Sequence, residues 1–106
     1  MSDDLRWNAV GTIHEWKDGE GRVVTVGARR IAVFRTGDRF RALKDSCPHA
    51  GVSLASGYLA DDNVICPAHA WAFNLDDGRC TQGPAACAAV AYAVRVVAEQ
   101  VEIGVA

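Results

Sequence analysis

Two short segments that each pair a cysteine with a histidine constrain this chain most strongly. The sequence has C-P-H at residues 47–49 and C-P-A-H at residues 66–69, with sixteen residues between them. Thiolate sulfur and imidazole nitrogen are both ligands for transition metals. The sequence therefore predicts one metal centre, and its candidate ligands are Cys47, His49, Cys66 and His69.

Two kinds of metal centre suit two cysteines and two histidines. A structural zinc ion takes the same set, usually with the spacings C-x₂₋₄-C and H-x₃₋₅-H. Here each segment supplies one cysteine and one histidine, which suits a [2Fe–2S] cluster with both thiolates on one iron and both imidazoles on the other. Neutral imidazoles raise the potential of such a cluster to about −150 to +300 mV, against about −400 mV for plant-type clusters. The cluster is the main hypothesis, and a zinc-stapled structural or binding module is the alternative.

The rest of the chain predicts strands and turns. β-Branched or alternating apolar residues predict strands at residues 7–13, 22–26, 30–35 and 39–42, and two runs at 92–96 and 101–105 predict a closing hairpin. Gly37-Asp38 predicts a tight hairpin turn, and no stretch before residue 45 has a sustained helical period. We therefore expect an all-β fold.

Residues 45–80 differ from the segments on either side. Glycines and prolines separate apolar runs that are too brief to bury much surface. Such a segment needs a cross-link to stabilise its fold, and a metal centre supplies one. We expect a single domain over residues 1–106, with base strands in 1–44 and 81–106 and a cluster-binding subdomain inserted at 45–80.

Charge and hydropathy exclude some partners. The net charge is −2, and no apolar run approaches the ~20 residues that span a bilayer, so we expect neither nucleic acid nor a membrane as partner. The start of the chain, residues 1–6, is polar and acidic and lacks the features of a signal peptide. We therefore expect a cytoplasmic protein.

The two metal-ligand segments strongly resemble those of the Rieske family. The resemblance rests on C-P-H-A-G at residues 47–51 with Leu54 and Gly57, on C-P-A-H at residues 66–69 with Trp71, Phe73 and Gly78, and on Gly83-Pro84, which resembles the family's third loop. It covers most of the chain. It implies a Rieske-type antiparallel β-sandwich or barrel base with an inserted cluster-binding subdomain, and one [2Fe–2S] cluster per chain.

The resemblance also implies a low-potential, ferredoxin-like cluster. High-potential members have an extra cysteine in each ligand loop, and these two cysteines form a disulfide. They also have a serine two residues after the last histidine. The matching residues here are Val52, Ala68 and Trp71. Without the disulfide and the serine, the potential is expected near the bottom of the Rieske range.

The number of histidines limits what the chain can catalyse. Rieske oxygenases pair the cluster with a non-haem iron on two histidines and a carboxylate. This chain has three histidines, and only His14 remains outside the predicted ligand set. There is also no G-x-G-x-x-G motif for a dinucleotide. We expect a soluble one-electron carrier with no catalytic residues, a component of an oxidoreductase system rather than an enzyme.

Two electron-transfer roles remain open. The chain resembles both the small subunit of assimilatory NAD(P)H nitrite reductase and the ferredoxin component of an aromatic-ring dioxygenase. Either role implies an electron-donating reductase and an electron-accepting oxidoreductase, with docking near His49 and His69. Five acids are expected either to be solvated loop tips or to steer the chain toward a basic partner surface: Asp45, Asp61, Asp62, Asp76 and Asp77.

Several other residues are expected to be structural. Cys80 and Cys87 are expected to pack as small hydrophobes, with pairing or ligation as the alternative. His14 is expected to be exposed at the end of a strand. Trp71 and Phe73 are expected to form core beneath the second ligand loop.

Overall fold

The structure is a computed structural model that describes residues 5–47, 51–68, 70–83 and 88–105. Within these residues it has ten strands, two single-turn 3₁₀ helices and no α-helix. The 3₁₀ helices are Ile13–Glu15 and Leu54–Ser56. The strands are β1 (Arg6–Thr12), β2 (Gly21–Val26), β3 (Arg29–Thr36), β4 (Arg39–Lys44), β5 (Tyr58–Ala60), β6 (Asn63–Ile65), β7 (Ala72–Asn74), β8 (Cys80–Gln82), β9 (Ala91–Val97) and β10 (Gln100–Val105).

Six strands form the base of the molecule. They make one antiparallel sheet in the order β1-β10-β9-β4-β3-β2, and the sheet curls so that its two edge strands, β1 and β2, lie near each other. Gly37 makes the turn between β3 and β4 with a φ of 61°, a left-handed conformation that glycine adopts without steric cost. The predicted all-β fold with an antiparallel base is confirmed.

A second, smaller sheet includes the connection that contains the second metal-ligand segment, between β6 and β7. Strands β5, β6, β7 and β8 follow one another in this antiparallel sheet, and each is three residues long. Its last strand, Cys80–Gln82, continues past the expected boundary at residue 80, and the next base strand begins at Ala91. We propose that the inserted subdomain extends at least to Gln82.

Strand β3 separates two apolar cores. Ile31 and Val33 pack into the base core, whereas Ala32 and Phe34 pack into a second core beneath the small sheet. Because alternate side chains of a strand point to opposite faces, a continuous apolar run suits a strand that is buried on both faces. The base core also contains Trp16, Ala42, Val101, Ile103 and Val105, and the second core contains Leu43, Cys47, Leu54, Val64, Cys66, Phe73, Leu75 and Ala89.

A buried arginine on β4 attaches the small sheet to the base. Arg41 Nη1 lies 3.1 Å from Asp62 Oδ1 and 3.3 Å from Asp76 Oδ1, and Nη2 donates to Thr36 Oγ1 at 2.9 Å. Asp62 lies in the β5–β6 turn and Asp76 in the β7–β8 turn. A buried guanidinium needs such partners to offset its desolvation. The ion pairs therefore fix both turns of the small sheet against the base.

Candidate metal centre

The structure describes two of the four predicted ligands, Cys47 and Cys66. Each cysteine is only 1% exposed, and both side chains belong to the second core. His49 and His69 lie outside the described residues. The fold therefore brings both thiols into one apolar core, on two loops that come from distant parts of the chain.

The first ligand loop is closed by two backbone hydrogen bonds at Cys47. The Cys47 N–H donates to the Val52 carbonyl at 2.8 Å, and the Cys47 carbonyl accepts from the Gly51 N–H at 2.8 Å. Gly51 has a φ of 71°, in the left-handed region that reverses the chain. In sequence, His49 lies inside the five-residue ring that runs from Cys47 to Gly51.

The second ligand loop has the same pattern of hydrogen bonds. The Cys66 N–H donates to the Trp71 carbonyl at 2.7 Å, and the Cys66 carbonyl accepts from the Ala70 N–H at 3.0 Å. Ala70 has a φ of 60°, so a residue with a Cβ stands in the position of the glycine in the first loop. His69 again lies inside the ring in sequence. The two cysteines thus begin equivalent turns.

A buried carboxylate attaches the first ligand loop to the base. The side chain of Asp45 is 1% exposed and lies 3.6 Å from Arg30 Nη2. It accepts hydrogen bonds from Ser53 Oγ at 2.7 Å and from the Ala55 N–H at 2.9 Å. The expectation that Asp45 is a solvated or docking charge is wrong, because its oxygens are used inside the fold. Sequence alone could not show this role, which depends on backbone ten residues away.

The other acids of this segment lie away from the second ligand loop. Tyr58 pairs with Ile65, next to Cys66, whereas Ala60 pairs with Asn63 at the other end of the small sheet. The acids of the β5–β6 and β7–β8 turns lie at this second end. Their steering of a partner remains a prediction.

The residues beneath the second loop are structural, as expected. Phe73 is fully buried in the second core, and Trp71 is half-buried and packs against it. A Cβ at Gly83 would lie 2.9 Å from the Trp71 ring and 3.1 Å from Cys80 Sγ, so the chain after β8 lies directly against these two side chains. Pro84 of the predicted third loop and Cys87 lie outside the described residues.

The structure also places Cys80 and His14. Cys80 is half-buried and packs against the second core, as expected, whereas Cys87 lies outside the described residues, so the expectation for the pair stays a prediction. His14 is exposed just after β1, where its Nε2 lies 3.4 Å from Glu99 Oε1.

These features fit a metal cluster with soft ligands. A pair of buried thiols in one apolar core supplies the sulfur donors that iron–sulfur clusters use. The matched turns give each cysteine a fixed backbone, and burial on the cysteine side keeps water from the sulfur atoms. Thiolate donors alone do not separate a [2Fe–2S] cluster from zinc, so the decision between them rests on relatives.

The model of the Rieske [2Fe–2S] domain family matches residues 6–98. This chain belongs to that family. The ferredoxin subunit of anthranilate 1,2-dioxygenase from Burkholderia cepacia is 34% identical to it over 99 residues, which cover 93% of this chain and 92% of the relative.

Solved structures show the same fold. The complex of reduced oxygenase and oxidized ferredoxin in carbazole 1,9a-dioxygenase includes a chain that superposes with a TM-score of 0.84 at 35% identity, covering 92% of this chain and 91% of that one. An NADH-dependent nitrite reductase small subunit from Mycobacterium tuberculosis superposes with a TM-score of 0.91 at 23% identity, covering 98% of both chains. At that identity, the second likeness concerns the fold alone.

Membership of the family decides the cofactor and the general role. The cofactor is a Rieske-type [2Fe–2S] cluster, which replaces the zinc alternative. The chain is an electron carrier related to the ferredoxin components of oxygenase systems. Among the described residues, no helix is long and apolar enough to span a membrane.

Proposed function

We propose that this protein is the Rieske ferredoxin of an oxygenase system, accepting one electron from a reductase and delivering it to the oxygenase component. The observation that carries this proposal is the 34% identity, over nearly the full length of both chains, to the ferredoxin subunit of a dioxygenase. A role as a nitrite reductase small subunit is compatible with the fold, but the likeness in that direction is weaker in sequence.

We also propose how the chain holds its cofactor. Cys47 and Cys66 are assigned to one iron, and His49 and His69 to the other. The burial of both thiols in one core and the equivalent turns of the two loops support this assignment. When bound, the cluster supplies a one-electron couple. The chain's own residues bury the sulfur ligands and fix the backbone around them.

The proposed exchange of electrons takes place on the histidine side. Cysteine ligands buried in the core leave the loop tips as the surface nearest the cofactor. Gly51 in the first loop and Pro67, Ala68 and Ala70 in the second are exposed, so the segments that flank both histidines reach solvent. A partner that docks near His49 and His69 would thus approach the cofactor closely.

The chain itself is proposed to catalyse no reaction on a substrate. After the proposed ligands are assigned, His14 is the one histidine left in the sequence. It lies on the base just after β1 and contacts Glu99, an arrangement that suits a surface ion pair. A second iron centre on two histidines and a carboxylate cannot be built from the remaining residues.

The proposed ligands are tested with matched cysteine variants. Cys47→Ser and His69→Ala are expected to remove the visible absorption of the purified protein, because each deletes one iron ligand. Cys80→Ser is the control, since Cys80 packs against the same core and is not a proposed ligand. Full absorption in Cys47→Ser would overturn the assignment.

The proposed role is tested by mixing the reduced protein with the oxygenase component of carbazole 1,9a-dioxygenase in a stopped-flow instrument. The expected result is oxidation of the protein, followed by its visible absorbance, at a rate that rises with oxygenase concentration. Ferricyanide, a small oxidant, serves as the control that the reduced protein can still give up its electron. If ferricyanide oxidises the protein but the oxygenase oxidises it no faster than buffer does, the result would count against this role.

The midpoint potential is expected to be low. Val52, Ala68 and Trp71 stand where high-potential members have the disulfide cysteines and the serine. A redox titration is expected to give a midpoint below zero, near the lower limit of about −150 mV for Rieske centres. A clearly positive midpoint would contradict the expectation.

A further inference from the structure

A groove lies beside the first ligand loop. It has a volume of about 570 Å³, and its walls come from the β2–β3 turn, the end of β4 and the residues around Val90. A smaller cavity of about 260 Å³ shares Lys44, Ser46, Gly51 and Val90 with it and reaches Cys47. The groove is thus adjacent to the loop that carries two of the proposed ligands.

The exposed charges of this groove are basic. Arg29, Arg30 and Lys44 line it, and all three are exposed. The acidic residue in the wall is Asp45, whose buried carboxylate already accepts hydrogen bonds from the first ligand loop. Among the described residues, neither Arg29 nor Lys44 has a carboxylate within ion-pair distance. The groove therefore presents uncompensated positive charge.

An apolar side chain is exposed among these basic residues. Val90 is 52% exposed, and the half-buried Tyr92 lines the same groove. An apolar centre with arginine and tyrosine around it is the composition of a protein interface. A small anion would gain nothing from Val90, whereas a protein surface would cover it.

We propose that this groove docks an acidic surface of the protein that exchanges electrons with this chain. The inference rests on the proposed function, because a carrier must bring its cofactor close to its partner. Positive charge next to the ligand loop would steer an acidic partner to the position from which transfer is short. The acids of the small-sheet turns lie at the end of that sheet away from Cys66, so they do not offset this field locally.

The groove is tested first by binding of a short oligoglutamate peptide to the purified holo-protein, measured by titration calorimetry at low ionic strength. Lys44→Glu is expected to weaken binding about fivefold, the size typical of an exposed charge at an interface. Lys17→Glu is the matched control. It makes the same change in net charge at a site far from the groove. The turn that follows Lys17 is hydrogen-bonded to Arg35. Arg35 lies about 20 Å along β3 from Arg29, because a strand rises about 3.3 Å per residue.

The expected outcome is a loss of binding in Lys44→Glu with less than a twofold change in Lys17→Glu. Equal losses in the two variants would overturn the proposal, since net charge alone would then explain them. Free glutamate that binds as tightly as the peptide would also overturn it, because a small-anion site would then account for the groove.

A second measurement separates this inference from the proposed function. The oxidation of each reduced variant by the oxygenase component of carbazole 1,9a-dioxygenase is followed at increasing salt. If neither variant nor the wild type transfers electrons but Lys44→Glu still loses peptide binding, the proposed function fails, and with it the electron-transfer partner, while the groove stands as a site for acidic surfaces. If transfer is fast and Lys44→Glu behaves like Lys17→Glu in both assays, the groove proposal fails and the carrier role stands.

Discussion

Asp45 attaches the first ligand loop to the base sheet. Its carboxylate is buried, pairs with Arg30 and accepts hydrogen bonds from Ser53 Oγ and the Ala55 N–H. Ser53 and Ala55 follow the first ligand segment in the chain and connect it to the buried Leu54 of the second core. One side chain therefore holds a large part of the geometry of that loop.

Asp45→Ala is expected to destabilise the protein by about 3 kcal/mol, because it leaves two donors without the charged acceptor that they have in the fold. Chemical denaturation of the holo-protein, with iron content measured in parallel, checks this value. Asp38→Ala is the control, since Asp38 is exposed in the β3–β4 turn and is expected to change the free energy of unfolding by less than about 0.5 kcal/mol. Equal stabilities of the two variants would contradict the role given to Asp45.

For single residues, the sequence predicts candidate metal ligands better than it predicts the side chains that hold the ligand loops in place. Cys47 and Cys66 are predicted as ligands because cysteine and histidine at fixed local spacing carry chemical information, and the fold brings both thiols into one core. Asp45 could not, because its partners are a hydroxyl and a backbone N–H brought to it by the fold. The buried Arg41 is a similar case, since it meets Asp62 and Asp76 only when two turns of the small sheet reach β4.

The two ligand loops are equivalent structural elements. Each cysteine forms the same two backbone hydrogen bonds, to the residues four and five positions later. The fourth position needs a left-handed conformation in both loops, and it is occupied by Gly51 in one and Ala70 in the other. A left-handed alanine costs about 1 kcal/mol more than a left-handed glycine.

Glycine and alanine substitutions at these two positions are expected to change the stability of the protein in opposite directions. Ala70→Gly should stabilise the protein by about 0.5 kcal/mol, because relief of the left-handed strain exceeds the entropy of the added glycine. Gly51→Ala should destabilise it by about 1 kcal/mol through conformation alone, since a Cβ at Gly51 meets no described atom within 4 Å. Thermal unfolding of both variants checks the signs. Destabilisation by Ala70→Gly would show that the loops are not equivalent in energy.

The base strands could be predicted and the small sheet could not. Strands of six to eight residues, such as β2, β3 and β9, show alternation or β-branched runs in the sequence. Strands β5 to β8 have three residues each, too few to show a period. They form because neighbouring strands and the second core fix their register. The sequence therefore predicts the subdomain boundary at residue 80, whereas β8 extends from Cys80 to Gln82.

The whole molecule consists of two cores that share strands β3 and β4. The base core is made of long-strand residues such as Val101 and Ile103, whereas the second core includes both proposed cysteine ligands. Loss of the cofactor should therefore weaken the second core and leave the base intact, because only the second core depends on the metal centre.

Hydrogen exchange of the cluster-free protein is expected to show this difference. The amides of Val64 and Phe73 in the small sheet should exchange at least about tenfold faster than in the holo-protein. Those of Val101 and Ile103 in the base should keep their protection. A uniform loss of protection across both sheets would mean that the two cores unfold as one unit.

Fold class, cofactor and carrier role could be predicted for the molecule as a whole from the four ligands and the strand pattern. The surface charge could not, since residues that are separate in sequence, such as Arg29 and Lys44, meet only in the fold. The acids of the small-sheet turns predict a negatively charged docking face, and this stays a prediction. The basic residues of the groove lie elsewhere, beside the first ligand loop.

The central claim is that Cys47, His49, Cys66 and His69 hold one mixed-ligand [2Fe–2S] cluster. Mössbauer spectroscopy of the protein produced with ⁵⁷Fe tests it most directly, because an iron with two thiolates and an iron with two imidazoles differ in their electronic environment. The oxidised protein is predicted to give two quadrupole doublets of equal area. A single doublet would mean that both irons have the same ligands, and the absence of iron would mean that the site holds another metal; either result would contradict the claim.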